Sequence, residues 1–173
     1  DDMLYGGDSD DTFVNFVGAD QVFGGDGTGD TIRITIDGEQ TTLKNAGNDD
    51  IQGVEIIDAA TAPDAVIIDL SNQVEGFTIT GSAYGDTITG SQGGDTITGG
   101  LGVDLLYGGD GNDILVVDGD AGDAVTGETY NGGANTDTLQ VNGDADFTGS
   151  VIESIEKLEL GSTATFTSES LRP

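Results

Sequence analysis

The chain has 173 residues, with 33 Asp or Glu against four Lys or Arg and a formal charge of −29 at pH 7. So little positive charge excludes nucleic acid and anionic lipid as direct partners on electrostatic grounds. Thirty Gly and an apolar content of only 35 % usually mark a disordered acidic linker, but Gly and Asp recur here in register with β-branched residues, which a linker has no reason to keep.

Residues 1–5 form the tail half of a nine-residue unit, with Asp2 at its sixth place and Leu4 at its eighth. A chain that starts in mid-repeat points to a longer parent. GGDSDDTFV from Gly6, NFVGADQVF from Asn15 and GGDGTGDTIR from Gly24 follow, the last with one residue too many before Asp30. Asp2, Asp11, Asp20 and Asp30 therefore share one place. Strict alternation takes over from Thr31, where Ile32, Ile34 and Ile36 share a face and Asp37-Gly38 supplies a turn before 40–44. This predicts a strand leaving the periodic array, with further strands over 54–58, 65–70 and 77–80.

The longest array follows, as GSAYGDTIT, GSQGGDTIT, GGLGVDLLY and GGDGNDILV. It aligns Asp86, Asp95, Asp104 and Asp113 in one column and Ile88, Ile97, Leu106 and Leu115 in another. After Val117 the pattern decays, resuming once as GGANTDTLQ with Asn135 at place four and Asp137 at place six. Strands are expected over 151–160 and 163–167. This ending echoes the first half, Glu55 matching Glu156 and Leu70 matching Leu171, so a roll segment followed by a β insert recurs about one and a half times. The expected division is a first short roll over 1–33, a β insert over 34–80, the main roll over 81–118, and a decaying turn with a second insert over 119–173. No segment has a helical period longer than one turn, so the chain should be nearly all β.

A period of nine fits neither a helix nor a hairpin. A Gly-rich turn followed by a three-residue strand with one apolar centre closes one coil every two units if successive turns fall on opposite edges. Every apolar centre then points between two parallel sheets. Turns on one edge stack at about 4.8 Å, which sets Asp86 over Asp104 and Asp95 over Asp113. At about 5 Å and an effective dielectric near 20, each such pair repels by about 3 kcal/mol. A divalent cation between turns reverses that term, and carboxylates with Gly carbonyls and no His or Cys suit Ca²⁺.

GGLGVDLLY and GGDGNDILV resemble the RTX, or hemolysin-type, calcium-binding nonapeptide G-G-x-G-x-D-x-U-x. GSAYGDTIT departs from it at places two and four and GSQGGDTIT at place two. The resemblance implies an all-β, right-handed parallel β-roll or β-helix with stacked Ca²⁺-binding turns and β inserts between roll segments. In such rolls the lower turn gives carbonyls from places two and four plus its Asp, and the upper turn gives carbonyls from places one and three plus its Asp. Carried over, one site uses Ser91, Gly93, Asp95, Gly108, Asp110 and Asp113, and a second uses Ser82, Tyr84, Asp86, Gly99, Leu101 and Asp104. The same places add Gly100, Gly102, Gly109 and Gly111 in the main roll and Gly7, Ser9, Asn15, Val17, Gly24 and Asp26 in the first, with Asp2, Asp11, Asp20, Asp30 and Asp137 as carboxylates.

Paired carboxylates also serve glycosidases and lyases, but Asp at place six is already accounted for by metal, and the chain has no His for a metalloprotease motif and no G-x-S-x-G elbow. A catalytic role within the chain is not expected. With no Cys and weak turn sites that need extracellular calcium, the reading is a calcium-binding folding module of an exported bacterial protein, disordered without Ca²⁺. An S-layer or adhesin is the favoured setting. The alternative is the C-terminal module of a secreted protease, lipase, polysaccharide-modifying enzyme or toxin. Type I secretion machinery, acting through the parent protein, lateral self-assembly and a cell-surface polysaccharide are the further partners this setting implies.

Overall fold

The computed structural model describes residues 2–14, 20–35, 42–44, 47–118, 127–161, 163–166 and 171–172. Among them every regular element is a strand. In chain order these are β1 (Met3–Gly7), β2 (Thr12–Val14), β3 (Gln21–Gly25), β4 (Thr31–Arg33), β5 (Thr42–Lys44), β6 (Ile51–Gln52) and β7 (Ile56–Asp58). There follow β8 (Ile67–Asp69), β9 (Thr78–Thr80), β10 (Thr87–Thr89), β11 (Thr96–Thr98), β12 (Leu105–Gly109), β13 (Ile114–Val117) and β14 (Thr129–Gly133). The last are β15 (Thr138–Val141), β16 (Ala145–Asp146), β17 (Val151–Glu153), β18 (Lys157–Leu160), β19 (Ala164–Thr165) and β20 (Leu171–Arg172).

The strands are short because each β-branched triplet is caught between two Gly-rich turns. Consecutive strands β9 to β13 alternate between two walls, so each wall pairs every second strand, in parallel. One wall is an eight-stranded sheet in the order β18, β15, β13, β11, β9, β7, β4, β2. Facing it in the main roll is a seven-stranded sheet, β20, β17, β14, β12, β10, β8, β5; β1, β3 and β6 make a third sheet, and β16 pairs with β19. This is a parallel β-solenoid. Ile79 registers with Ile97 and Ile97 with Leu115, eighteen residues apart each time, as the nonapeptide period requires.

The core is one side chain wide. Ile32, Ile57, Ile79, Ile97, Leu115 and Leu139 stack on the first wall, and Ile68, Ile88, Leu106, Tyr130 and Ile152 on the second. All of them are buried, and the Thr residues flanking β10 and β11 centres are half-buried. Near the C-terminal end Phe147 extends this core, packing edge-on to Tyr130 and stacking on Phe166 at a centroid distance of 4.9 Å.

Two expectations change here. The strand after Thr31 does not leave the roll, since the Ile34 amide still donates to Asp58 O at 2.9 Å, and β7, β8 and β9 lengthen the same walls. Residues 36–40, with the predicted Asp37-Gly38 turn, lie outside the described residues. The run over 151–160 is two strands, β17 and β18, separated by a sharp turn at Ser154, whose φ is +51°. Residues 167–170 of the final expected strand are likewise outside the described set.

Candidate metal centre

Each strand is preceded by the residue at place six, so parallel stacking of strands stacks those residues too. Along the eight-stranded wall this column reads Asp11, Asp30, Glu55, Phe77, Asp95, Asp113, Asp137 and Glu156. On the opposite edge of the main roll it reads Val66, Asp86, Asp104, Glu128 and Ser150. One hydrogen bond repeats down both columns, from a place-six amide to the carboxylate of the next coil. Asp86 N donates to Asp104 Oδ1 at 2.7 Å, Asp95 N to Asp113 Oδ1 at 2.8 Å and Asp113 N to Asp137 Oδ1 at 2.8 Å. In the first roll Asp2 N donates to Asp20 Oδ1 at 2.8 Å and Asp11 N to Asp30 Oδ1 at 2.7 Å.

The second carboxylate oxygen is treated differently in two kinds of turn. Where Ser stands at place two, its amide donates to its own Asp, Ser82 N to Asp86 Oδ2 at 2.5 Å and Ser91 N to Asp95 Oδ2 at 2.6 Å. The hydroxyl adds a further bond, Ser82 Oγ to Asp86 Oδ1 at 2.8 Å and Ser91 Oγ to Asp95 Oδ2 at 3.0 Å. Where Gly stands at place two the chain turns left-handed instead, with φ of +116° at Gly109 and +103° at Gly133. The Oδ2 atoms of Asp11, Asp30, Asp113 and Asp137 are buried and have no hydrogen-bond partner.

Those oxygens face backbone carbonyls. A Cβ on Gly108 would run into both Asp113 Oδ2 and Gly132 O, one on Gly90 into both Asp95 Oδ2 and Gly108 O, and one on Gly81 into both Asp86 Oδ2 and Gly99 O. In the first roll Gly6 sits in the same way against Asp11 Oδ2 and Gly24 O. The lower-turn carbonyls also reach the next turn, because Ser91 O would meet a Cβ on Gly109, and Gly93 O one on Gly111. Ser82 O and Tyr84 O stand in that relation to Gly100 and Gly102. Acceptors crowd against acceptors.

Burial is the main reason that Asp104 and Asp113 are pushed up to about 7, against the lowering effect of the amides of Asp86 and Asp95. The charges of Asp86 and Glu128 add at Asp104, and those of Asp95, Asp137 and Asp110 at Asp113. Burial likewise raises Asp86, Asp95 and Asp137 above the ordinary carboxylate range. A carboxylate desolvated beside other carboxylates favours its neutral form unless a cation joins it. Among the described residues no three acidic side chains converge on one point. The donor set between any two turns is thus two carboxylates with several carbonyls, all hard oxygens, which fits Ca²⁺.

The geometry brings together Ser91, Gly93, Asp95, Gly108 and Asp113 at one edge and Ser82, Tyr84, Asp86, Gly99 and Asp104 at the other. The side chains of Leu101 and Asp110 point to solvent. Gly7 O accepts from Asp26 N at 2.9 Å, and the extra residue of that unit is absorbed later, where Gly27 turns inward against Asp30 and Thr28 N meets Asp10 Oδ1 at 3.1 Å. Ser9 and Asn135, at place four, take φ of +81° and +87°, the left-handed geometry of Gly102 and Gly111. Asn15 and Val17 lie outside the described residues.

Three acids went unrecognised in the sequence. Glu55, Glu128 and Glu156 occupy place six where the spacing is irregular, and the Asp113 to Asp137 pair spans 24 residues where the nonapeptide period gives eighteen. A signal was available. Glu55-Ile56-Ile57 and Glu128-Thr129-Tyr130 keep the distance from acid to buried centre that Asp86-Thr87-Ile88 shows. The Tyr130 hydroxyl donates to Glu128 Oε2.

Residues 1–29 and 80–115 match the model of the RTX calcium-binding nonapeptide repeat, in four copies. No curated protein and no solved structure matches the chain.

Proposed function

Because the chain carries RTX calcium-binding repeats, we propose that it is a calcium-triggered folding module of a secreted bacterial protein, built into a surface layer or adhesin. The proposed sites join Asp95 and Asp113 with the carbonyls of Ser91, Gly93, Gly108 and Asp110, and Asp86 and Asp104 with those of Ser82, Tyr84, Gly99 and Leu101. Gly109 and Gly111 serve the Asp113 and Asp137 pair, and Gly100 and Gly102 serve Asp104. In the first roll Asp11 and Asp30 take Gly7, Ser9, Gly24 and Asp26, while Asp2 and Asp20 take Asn15 and Val17. A calcium ion bound there supplies the positive charge that turns carboxylate repulsion into attraction.

The observation that carries this reading is the Asp113 carboxylate, 1 % exposed, with one oxygen accepting from the Asp95 amide of the previous coil and the other facing Gly132 O without a partner. Burying an unpaired charge is costly, so the chain's own residues hold the fold only in part. Asp113→Ala should weaken calcium binding at least about tenfold, or about 1.4 kcal/mol, measured by titration calorimetry. Asp64→Ala, on an exposed turn outside the column, should leave affinity unchanged. Equal losses in the two variants would sink the assignment.

The extracellular setting rests on the calcium requirement and on a Cys-free, strongly acidic chain; among the described residues no helix is long and apolar enough to cross a membrane. If the module works in a lattice, light scattering of the calcium-loaded chain should rise with concentration. A monomer at all concentrations would point to the isolated-module setting instead.

A further inference from the structure

The carboxylate column along the eight-stranded wall is broken, and each stretch of it finishes on a Glu. Asp11 and Asp30 lead to Glu55; Phe77 restarts the column with no carboxylate, and Asp95, Asp113 and Asp137 lead to Glu156. The turns that deliver the two Glu are unlike the nonapeptide turns. Between Gln52 and Glu55 stand only Gly53 and Val54, and between Glu153 and Glu156 only Ser154 and Ile155. Positive φ at Gly53 (+61°) and Ser154 (+51°) bends the chain in that short space. Val54 is buried and Ile155 packs against the core, which anchors both turns.

A shorter turn is matched by a longer side chain. Glu55 Oε2 accepts from Asp30 N at 3.0 Å and Glu156 Oε2 from Asp137 N at 2.8 Å, the bond that an Asp makes in every regular coil. The Glu amides bend back to the previous coil, Glu55 N to Asp30 O at 3.1 Å and Glu156 N to Asp137 O at 3.2 Å. Each pair also contains an acceptor with nothing to accept. Asp30 and Asp137 are both 0 % exposed, and the Oδ2 of each has no hydrogen-bond partner. A Cβ on Gly24 would strike Asp30 Oδ2 and Gly53 O together, and a Cβ on Gly132 would strike Asp137 Oδ2 and Ser154 O together. Carboxylate and carbonyl thus converge in these turns as they do at Gly90 and Gly108. Nearby side-chain cations are already engaged, Arg33 with Asp58 at 2.9 Å and Lys157 with Glu159.

We propose that Asp30 with Glu55 and the Gly53 carbonyl, and Asp137 with Glu156 and the Ser154 carbonyl, are two further sites for a hard divalent cation, each terminating a carboxylate column. The proposal rests on the reading that cations lie between stacked turns, and it extends that reading to turns outside the nonapeptide pattern. The arrangement arises twice in turns, Gly-Val-Glu and Ser-Ile-Glu, that share only the acid and an inward aliphatic residue.

The test counts ions in the intact chain. Native mass spectrometry at saturating Ca²⁺ is compared for the parent chain, Glu55→Gln, Glu156→Gln, their double variant and Asp113→Ala as a reference. Each single Glu variant should carry one ion fewer, and the double variant two fewer. Full occupancy in the double variant, with a loss in Asp113→Ala, would overturn these two sites and leave the nonapeptide reading intact; no loss in any variant would overturn both. If Glu156→Gln fails to fold, Glu156→Asp keeps the charge but withdraws the carboxylate by one methylene. It should again lose one ion, and retention of the full count would contradict the proposal.

Discussion

The turns at Ser82 and Ser91 and the turns at Gly109 and Gly133 are built on the same place-six Asp, yet they leave it in opposite conditions. Ser supplies its amide and hydroxyl to the carboxylate of its own turn, so Asp86 and Asp95 have both oxygens engaged. Gly at place two, with φ above +100°, turns the chain away, and Asp113 and Asp137 keep one buried oxygen without a partner. The Ser turns thus supply donors to their own carboxylate, whereas the turns at Gly109 and Gly133 leave one oxygen open for the proposed cation. One residue at place two separates turns that engage both oxygens of their own carboxylate from turns at Gly109 and Gly133 that leave one buried oxygen open.

The largest effect is expected where the double-Gly turn is blocked. Gly111 has φ of +118°, and a Cβ there would collide with the Gly93 backbone. Gly111→Val should therefore cost more than about 2 kcal/mol, since a β-branched residue resists that conformation as well as the contact. Unchanged thermal unfolding in calcium would show that the turns tolerate far looser stacking than the Gly111 to Gly93 contact implies.

Acidity should separate the metal-free from the loaded chain. Asp104 and Asp113 are raised to about 7 in the fold, whereas an unfolded Asp titrates near 3.9. The fold therefore binds more protons than the unfolded chain between about pH 4 and 7, and stability falls as pH rises through that window. In EGTA the β signal should strengthen as pH is lowered from 7.5 to 4.5. With Ca²⁺ the direction reverses, because protons compete for the ligands. Circular dichroism at several pH values, with and without chelator, reads both slopes; parallel slopes would contradict the comparison.

A smaller change is expected from converting one kind of turn into the other. Ser91→Gly removes the hydroxyl bond to Asp95 at 3.0 Å. It should cost the metal-free chain about 1 kcal/mol while leaving calcium affinity within a factor of a few. A large loss of affinity would mean that Ser91 acts through the bound cation and not in its place.

Much of this was legible from the residues. The eighteen-residue coil follows from the period of nine, and the Ile88 and Leu106 register follows from the coil. The ladder at Asp113 and Asp137 was not legible, because the coil between them is six residues longer than the one before it, and a fixed period cannot cross a loop of variable length. Glu55 and Glu156 are legible as equivalent to each other but not as column members. Their turns are too short to resemble a nonapeptide, and only the register of Ile57 on Ile32 and Leu158 on Leu139 puts them in line. The alternation Ile32, Ile34 suggested a departing strand because a solenoid strand that keeps its pairing as far as Ile34 shows the same alternation as a strand that leaves the array.

The proposed role of cations between stacked turns is to hold the solenoid closed, more than the one-residue-wide core does. Its most direct test is removal of the metal at neutral pH, with circular dichroism and dynamic light scattering followed together as EGTA is added. The β signal should fall and the hydrodynamic radius should grow over the same range of free calcium, and both should recover when calcium is restored. A chain that keeps its β spectrum and its radius when stripped of metal would show that the column of Ile and Leu suffices.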